Sequence, residues 1–170
     1  MNEIEAQYSH SKAGTSLFNL CAKATKLLIK HKWLYYLLAC TWGIIMTLLG
    51  LIITVVLGIA KLFKANITFK KYGFIYGIKV GPDYWGGFDT GLMYIRDQKS
   101  ADGLDAHEFG HTFQNCILGP LFPFIVAIPS ACRWWARTLF PKKNWKAYVS
   151  AWFEDAASQC GRYAIKSIKK

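Results

Sequence analysis

Acidic residues are scarce in this chain. Asp and Glu number 10 among 170 residues against 21 Lys and Arg, which leaves a formal charge of +11. Charged residues of both signs make only 18%, while 53% are apolar and 16% aromatic. A chain this apolar can offset its ordering entropy by burial, which excludes intrinsic disorder. Neither a glycine period nor a sustained heptad is present, excluding collagen and coiled coil. The five cysteines (Cys21, Cys40, Cys116, Cys132, Cys160) include no CxxC pair. Their odd number and spacing argue against a disulfide framework and against a cysteine-based metal site. Histidine occurs four times, and no internal repeat or low-complexity segment is found. An excess of Lys beside an excess of apolar residues points to a membrane or a nucleic acid as partner. Their distribution along the chain decides between the two.

No acid, base or His occurs from Trp33 to Ala60, a run of 28 residues reading WLYYLLACTWGIIMTLLGLIITVVLGIA. About 20 apolar residues cross a hydrocarbon core of roughly 30 Å, so the run predicts a transmembrane helix. Trp33, Tyr35 and Tyr36 would lie at headgroup level. The run is too long, and starts too far in, for a cleaved signal peptide. Gly43, Gly50 and Gly58 lie near one face and offer a place for a partner helix in the membrane. Lys23, Lys26, Lys30 and Lys32 precede the run and Lys61, Lys64, Lys70 and Lys71 follow it. Lysines so placed meet anionic headgroups, which favours the lipid bilayer over nucleic acid as partner. Similar flanks on both sides give no orientation. The expected organisation is a basic N-terminal tail over 1–32, a membrane span over 33–60 and a folded domain over 65–170.

Ile67 to Val80 is rich in β-branched and aromatic residues and predicts a strand closed by a turn at Gly81-Pro82. Gly91 to Arg96 predicts another short strand, whose edge is suited to pairing with an extended peptide. Ser100 or Asp102 is placed to cap a helix running from Leu104 to about Ile117. The stretch Cys116 to Ser130 is too short to span a membrane, and Pro120, Pro123 and Pro129 predict a buried or interfacial loop there. Two further helical stretches follow from Ala131, separated by Pro141-Lys142-Lys143. The fold class expected is a small α+β domain tethered to one span.

The predicted helix contains His107-Glu108-Phe109-Gly110-His111, an H-E-x-x-H. Spacing of i, i+4 sets both imidazoles on one face, where their nitrogens can converge on one zinc ion. Glu108 then stands beside the metal as a general base. A catalytic zinc takes three protein ligands, and no third His follows His111. His10 and His31 both precede the apolar run, so a carboxylate must complete the set. Beyond the motif only Glu154 and Asp155 are acidic. Glu154 is preferred over its neighbour, because an acid in an otherwise uncharged, apolar run needs a partner to hold it.

At these residues the sequence resembles the gluzincin class of zinc metallopeptidases. It is more closely similar to a group of short bacterial proteins with an N-terminal span and a minimal HExxH domain. Shared features are Gly86-Gly87 through Ile95, His107 to Gln114, Leu118 to Leu121, Ile128 to Ser130, and Glu154-Asp-Ala-Ala157 with Gly161. The resemblance covers about residues 72–162. It implies a zincin-like domain, His107, His111 and Glu154 as zinc ligands, and Glu108 as the base. Ser158 stands where the group has an Asp that hydrogen-bonds a ligand His, so Ser158, with Asp155, is expected behind the ligands rather than among them. The function implied is a membrane-anchored zinc metallopeptidase acting on a peptide or protein, single-pass in a bacterial cell membrane. The competing expectation is a non-catalytic membrane protein that keeps the zincin-like fold in an immunity, assembly or scaffold role.

Overall fold

The computed structural model describes residues 12–81, 85–100 and 103–168. His10, Pro82 and Asp102, named above, lie outside them. Helices α1 (Lys12–Lys30), α2 (Lys32–Cys40) and α3 (Ile44–Leu62) come first, followed by strands β1 (Ile67–Tyr72), β2 (Ile75–Val80), β3 (Gly87–Asp89) and β4 (Met93–Arg96). Helix α4 (Gly103–Leu118) leads through a short 3-10 turn and a π-helical segment, Pro123–Ala127, into α5 (Ile128–Leu139). A last helix, α6 (Trp152–Ile168), closes the described chain. The architecture is α+β, with a small sheet among helices.

The predicted strand over Ile67–Val80 is a hairpin. Tyr72 pairs with Ile75 across a two-residue turn, and Gly73 takes φ 62 there, a conformation Cβ-bearing residues avoid. Sheet order is β1-β2-β4-β3, with β2 and β4 parallel and the outer pairs antiparallel. β4 is therefore an interior strand, contrary to the expectation for Gly91–Arg96; the edge beside α4 is β3. Successive residues alternate between two covered faces. Ile67, Ile78 and Ile95 pack with Ile53, Leu57 and Ala60 of α3. On the other face Ile75 and Tyr94 join Phe74, Phe109, Phe113 and Tyr35 in the main core.

That second face shows why the apolar run is not one helix. It breaks at Thr41-Trp42-Gly43, between α2 and α3. Tyr35 is wholly buried, packs edge-on to Phe74 at 4.9 Å and donates from its hydroxyl to the Gly91 carbonyl at 2.7 Å. The first half of the run thus belongs to the core of the domain, and Tyr35 does not sit at a headgroup level. Among the described residues one helix, α3, is by itself long and apolar enough to cross a membrane. Residues 12–30 are likewise a helix rather than a tail: α1 packs along α6 and buries Cys21, Thr25 and Leu28. Boundaries at 32, 60 and 65 do not divide the packing.

The glycines of the run are used within the chain. A Cβ at Gly43 would lie 2.7 Å from Asn115 Nδ2, and one at Gly50 would lie 2.5 Å from the Thr90 carbonyl oxygen. Only Gly58 of the three has nothing within 4 Å. The stretch Cys116–Ser130, expected as a loop, is helical almost throughout; Pro123 falls in the first turn of its segment, where no intrahelical N–H is required. Gly119, at φ 54, lets the chain turn by 114° between the helical stretches Gly103–Leu121 and Pro123–Leu139.

Candidate metal centre

Helix α4 is polar and almost entirely buried. His107, Glu108, His111, Thr112, Gln114 and Asn115 are each at most 6% exposed, so each needs a partner in place of water. The helix is anchored at its start by Asp105, in the first turn, where a negative charge suits the helix dipole. Asp105 pairs with Arg96 Nη1 at 2.8 Å and accepts from the Tyr94 hydroxyl at 2.8 Å. Ser100, one of the two expected caps, bonds the Asp97 carboxylate instead.

Helix α6 crosses α4 at two glycines. A Cβ on Gly110 would run into the Ala157 carbonyl, and one on Gly161 into the Ala106 carbonyl. Only glycine at both positions lets the backbones approach so closely. The crossing brings Glu154, in the first turn of α6, onto the histidine face of α4.

Glu154 Oε2 lies 3.0 Å from His107 Nε2 and 3.1 Å from His111 Nε2, and the two Nε2 atoms are 3.2 Å apart. Three donors bound to one tetrahedral ion at 2.0–2.1 Å would stand about 3.3 Å from one another, close to this triangle. The far sides of both rings are held. His111 Nδ1 is 2.8 Å from Gln114 Oε1, and Gln114 Nε2 donates to the Phe153 carbonyl at 2.9 Å. Gln114 Oε1 is an acceptor, so Nδ1 carries the proton and Nε2 is left with its lone pair toward Glu154. Ser158 Oγ lies 2.8 Å from His107 Nδ1, the position expected for it; as acceptor it leaves His107 in the same state. Asp155, buried beside Glu154, takes Gln159 Nε2 at 3.1 Å, and it is Ser158 that reaches a ligand ring. Two imidazole nitrogens and a carboxylate facing one point could hold a metal ion between them. The donor set therefore fits a metal ion.

The electrostatics agree. Burial works against the Glu154 carboxylate, but both imidazoles bonded to it hold it well below the usual carboxylate range. Burial also pulls His111 down, yet the bonded Glu154 outweighs it and raises the ring to about 9. A cluster that draws a proton so firmly offers a metal the same field. Burial pushes the Glu108 carboxyl up to about 8, with His111 acting the other way. Glu108 Oε2 and Glu154 Oε1 are buried without a hydrogen-bond partner among the described residues.

Both histidines and Glu108 line a cavity of about 580 Å³. Gly87 of the edge strand β3 abuts Glu108, since a Cβ there would lie 2.9 Å from Glu108 Oε1. Trp134 of α5 reaches across to the Trp85 carbonyl at 2.8 Å. Tyr148 also lines the cavity; its hydroxyl donates to the Ser130 carbonyl at 3.0 Å and lies 2.6 Å from Ser130 Oγ, and burial raises its pKa. Sequence reasoning missed Tyr148, Asp89, which ends β3 and lines the same cavity, and the orienting role of Gln114. Gln114 was within reach, three residues past His111 on the same helix face; Asp89 and Tyr148 carry no local signal. His31 sits at the α1–α2 junction and is not among the three clustered donors. No protein-family model, curated protein or solved structure matches this chain.

Proposed function

We propose that the protein is a membrane-anchored zinc metallopeptidase of zincin-like fold, held to the bilayer through α3. The observation that carries this reading is the meeting of His107 Nε2, His111 Nε2 and Glu154 Oε2 within 3.2 Å of one another, with Glu108 in the same cavity. Two imidazoles and a carboxylate are the donor set of zinc peptidase sites that keep a position open for water. A zinc ion held there would supply Lewis-acid polarisation of the scissile carbonyl and lower the pKa of a bound water. The chain's own groups do the rest. The outer side of β3 accepts an extended peptide by strand addition, which sets the scissile bond along the α4 face. Glu108 takes a proton from the attacking water and returns it to the leaving amine.

Glu108→Gln tests the reading. The amide still hydrogen-bonds water and cannot accept its proton. Zinc content should be unchanged while peptide hydrolysis falls about 10²–10⁴-fold, measured by mass spectrometry on a mixed peptide pool. Zinc-loaded wild type that cleaves no better than Glu108→Gln would favour the non-catalytic alternative.

A further inference from the structure

The cavity over Glu108 has two apolar walls, and both continue onto the outside of the molecule. One wall is Ile45, Met46 and Leu49, from the first turns of α3. Ile45 and Leu49 are 45% and 43% exposed, and they run into the outward stripe Leu48, Ile52 and Val55 of the same helix. The other wall carries Trp134 and Trp135 of α5, the latter 60% exposed. It continues into Phe124 and Ile128, each more than half exposed. Arg133 and Arg137, on the same helix as the tryptophans, bond backbone carbonyls of the 146–148 segment and stack over Tyr148. An aromatic and basic helix of this kind belongs at a headgroup boundary. An exposed apolar rim on both sides of a site marks a surface for an apolar partner or a membrane.

We infer that the site draws its substrate from the bilayer: the peptide cleaved is an apolar, membrane-embedded segment of another chain, entering between α3 and α5. This rests on the peptidase reading above and names its substrate class. The edge of β3 takes the backbone, and the α3 and α5 walls take apolar side chains on either side of the bond. The occupant is a lipid-borne peptide because the mouth is continuous with the face of α3 left to lipid.

The test uses the full chain, loaded with zinc, in vesicles of phosphatidylcholine and phosphatidylglycerol. Two peptide pools carry the same randomised octamer. In one the octamer adjoins an apolar helix that inserts into the vesicle; in the other it ends a long Gly-Ser linker on an acyl anchor. Both pools are membrane-bound, so concentration at the surface does not separate them. Cleavage above the Glu108→Gln background should be at least 10-fold greater in the first pool. Equal cleavage, or preference for the linker pool, overturns the inference and leaves the peptidase reading standing. Access is also read without hydrolysis, in Glu108→Gln protein, with photo-leucine placed in the inserted helix. Cross-links to Leu49 or Trp135 support entry between α3 and α5 even where no peptide is cut. Cross-links confined to Val55 and Ile59, or none, overturn it.

Discussion

Helix α3 covers one face of the sheet and α4 the other, and their burial runs against their hydropathy. α3 has no charged residue before Lys61, yet Leu48, Ile52, Val55 and Ile59 are each more than half exposed. α4 carries two His, a Glu, a Gln and an Asn, all nearly or wholly buried. For the two imidazoles and Gln114, burial follows partners rather than apolarity. On α4 each imidazole has a second nitrogen held from behind and a carboxylate in front. On α3 the inward face packs on three isoleucines of the sheet, and the outward face is an apolar stripe left uncovered among the described residues. One side of the sheet buries polar groups on α4, and the other leaves an apolar face of α3 exposed.

The sharpest way to break this contrast is to add one methyl group to each side. Gly161→Ala or Gly110→Ala places a Cβ against a backbone carbonyl that cannot swing aside. We expect a loss of about 3 kcal/mol, at the upper end of overpacking costs, read as a lower thermal midpoint in detergent. Metal binding should fail with it, because α6 carries Glu154 away from α4. Gly58→Ala adds its methyl to open space and should be neutral or stabilising by up to about 1 kcal/mol. Equal losses on both sides would mean that α3 is packed as tightly as α4.

Smaller effects should come from the groups behind the ligands. Gln114→Ala strips His111 Nδ1 and the Phe153 carbonyl of their partner together. It should weaken zinc binding about 10–100-fold and cost about 1–3 kcal/mol for each buried group left unpaired. Ser158→Ala removes one uncharged hydrogen bond from His107 and should cost nearer 10-fold in affinity. Competition with a chromogenic chelator measures both. If Ser158→Ala outweighs Gln114→Ala, the two rings are not held as described.

Much of the site was legible because its chemistry is local. The i, i+4 histidines needed only a helix, and Glu154 followed from the shortage of acids beyond the motif, a shortage that left it one rival. Ser158 was placed only by the resemblance, as the residue standing where the similar group has an Asp. The fold was less legible where one composition serves two environments. Trp33 to Ala60 reads as one continuous apolar run, but Tyr35 and Ala39 are wholly buried in the domain core and the helix breaks before Ile44. Hydropathy cannot tell lipid from protein interior. The edge strand was misplaced for a related reason: Gly87–Asp89 is three residues long, too short for alternation to register, while the stronger β pattern of Met93–Arg96 belongs to an interior strand. The two helix-crossing glycines give no signal at all until α4 and α6 are seen together.

The central claim is that His107, His111 and Glu154 form one metal site. Its most direct test is the zinc content of the full chain, purified in mild detergent and dialysed against excess zinc, set beside His111→Ala, Glu154→Ala and Asp155→Ala. The account predicts one zinc per chain in wild type, none in the first two variants, and one in Asp155→Ala if that variant remains folded by circular dichroism. A folded wild type that takes up no metal, or a folded Glu154→Ala that keeps it at full affinity, would contradict the account.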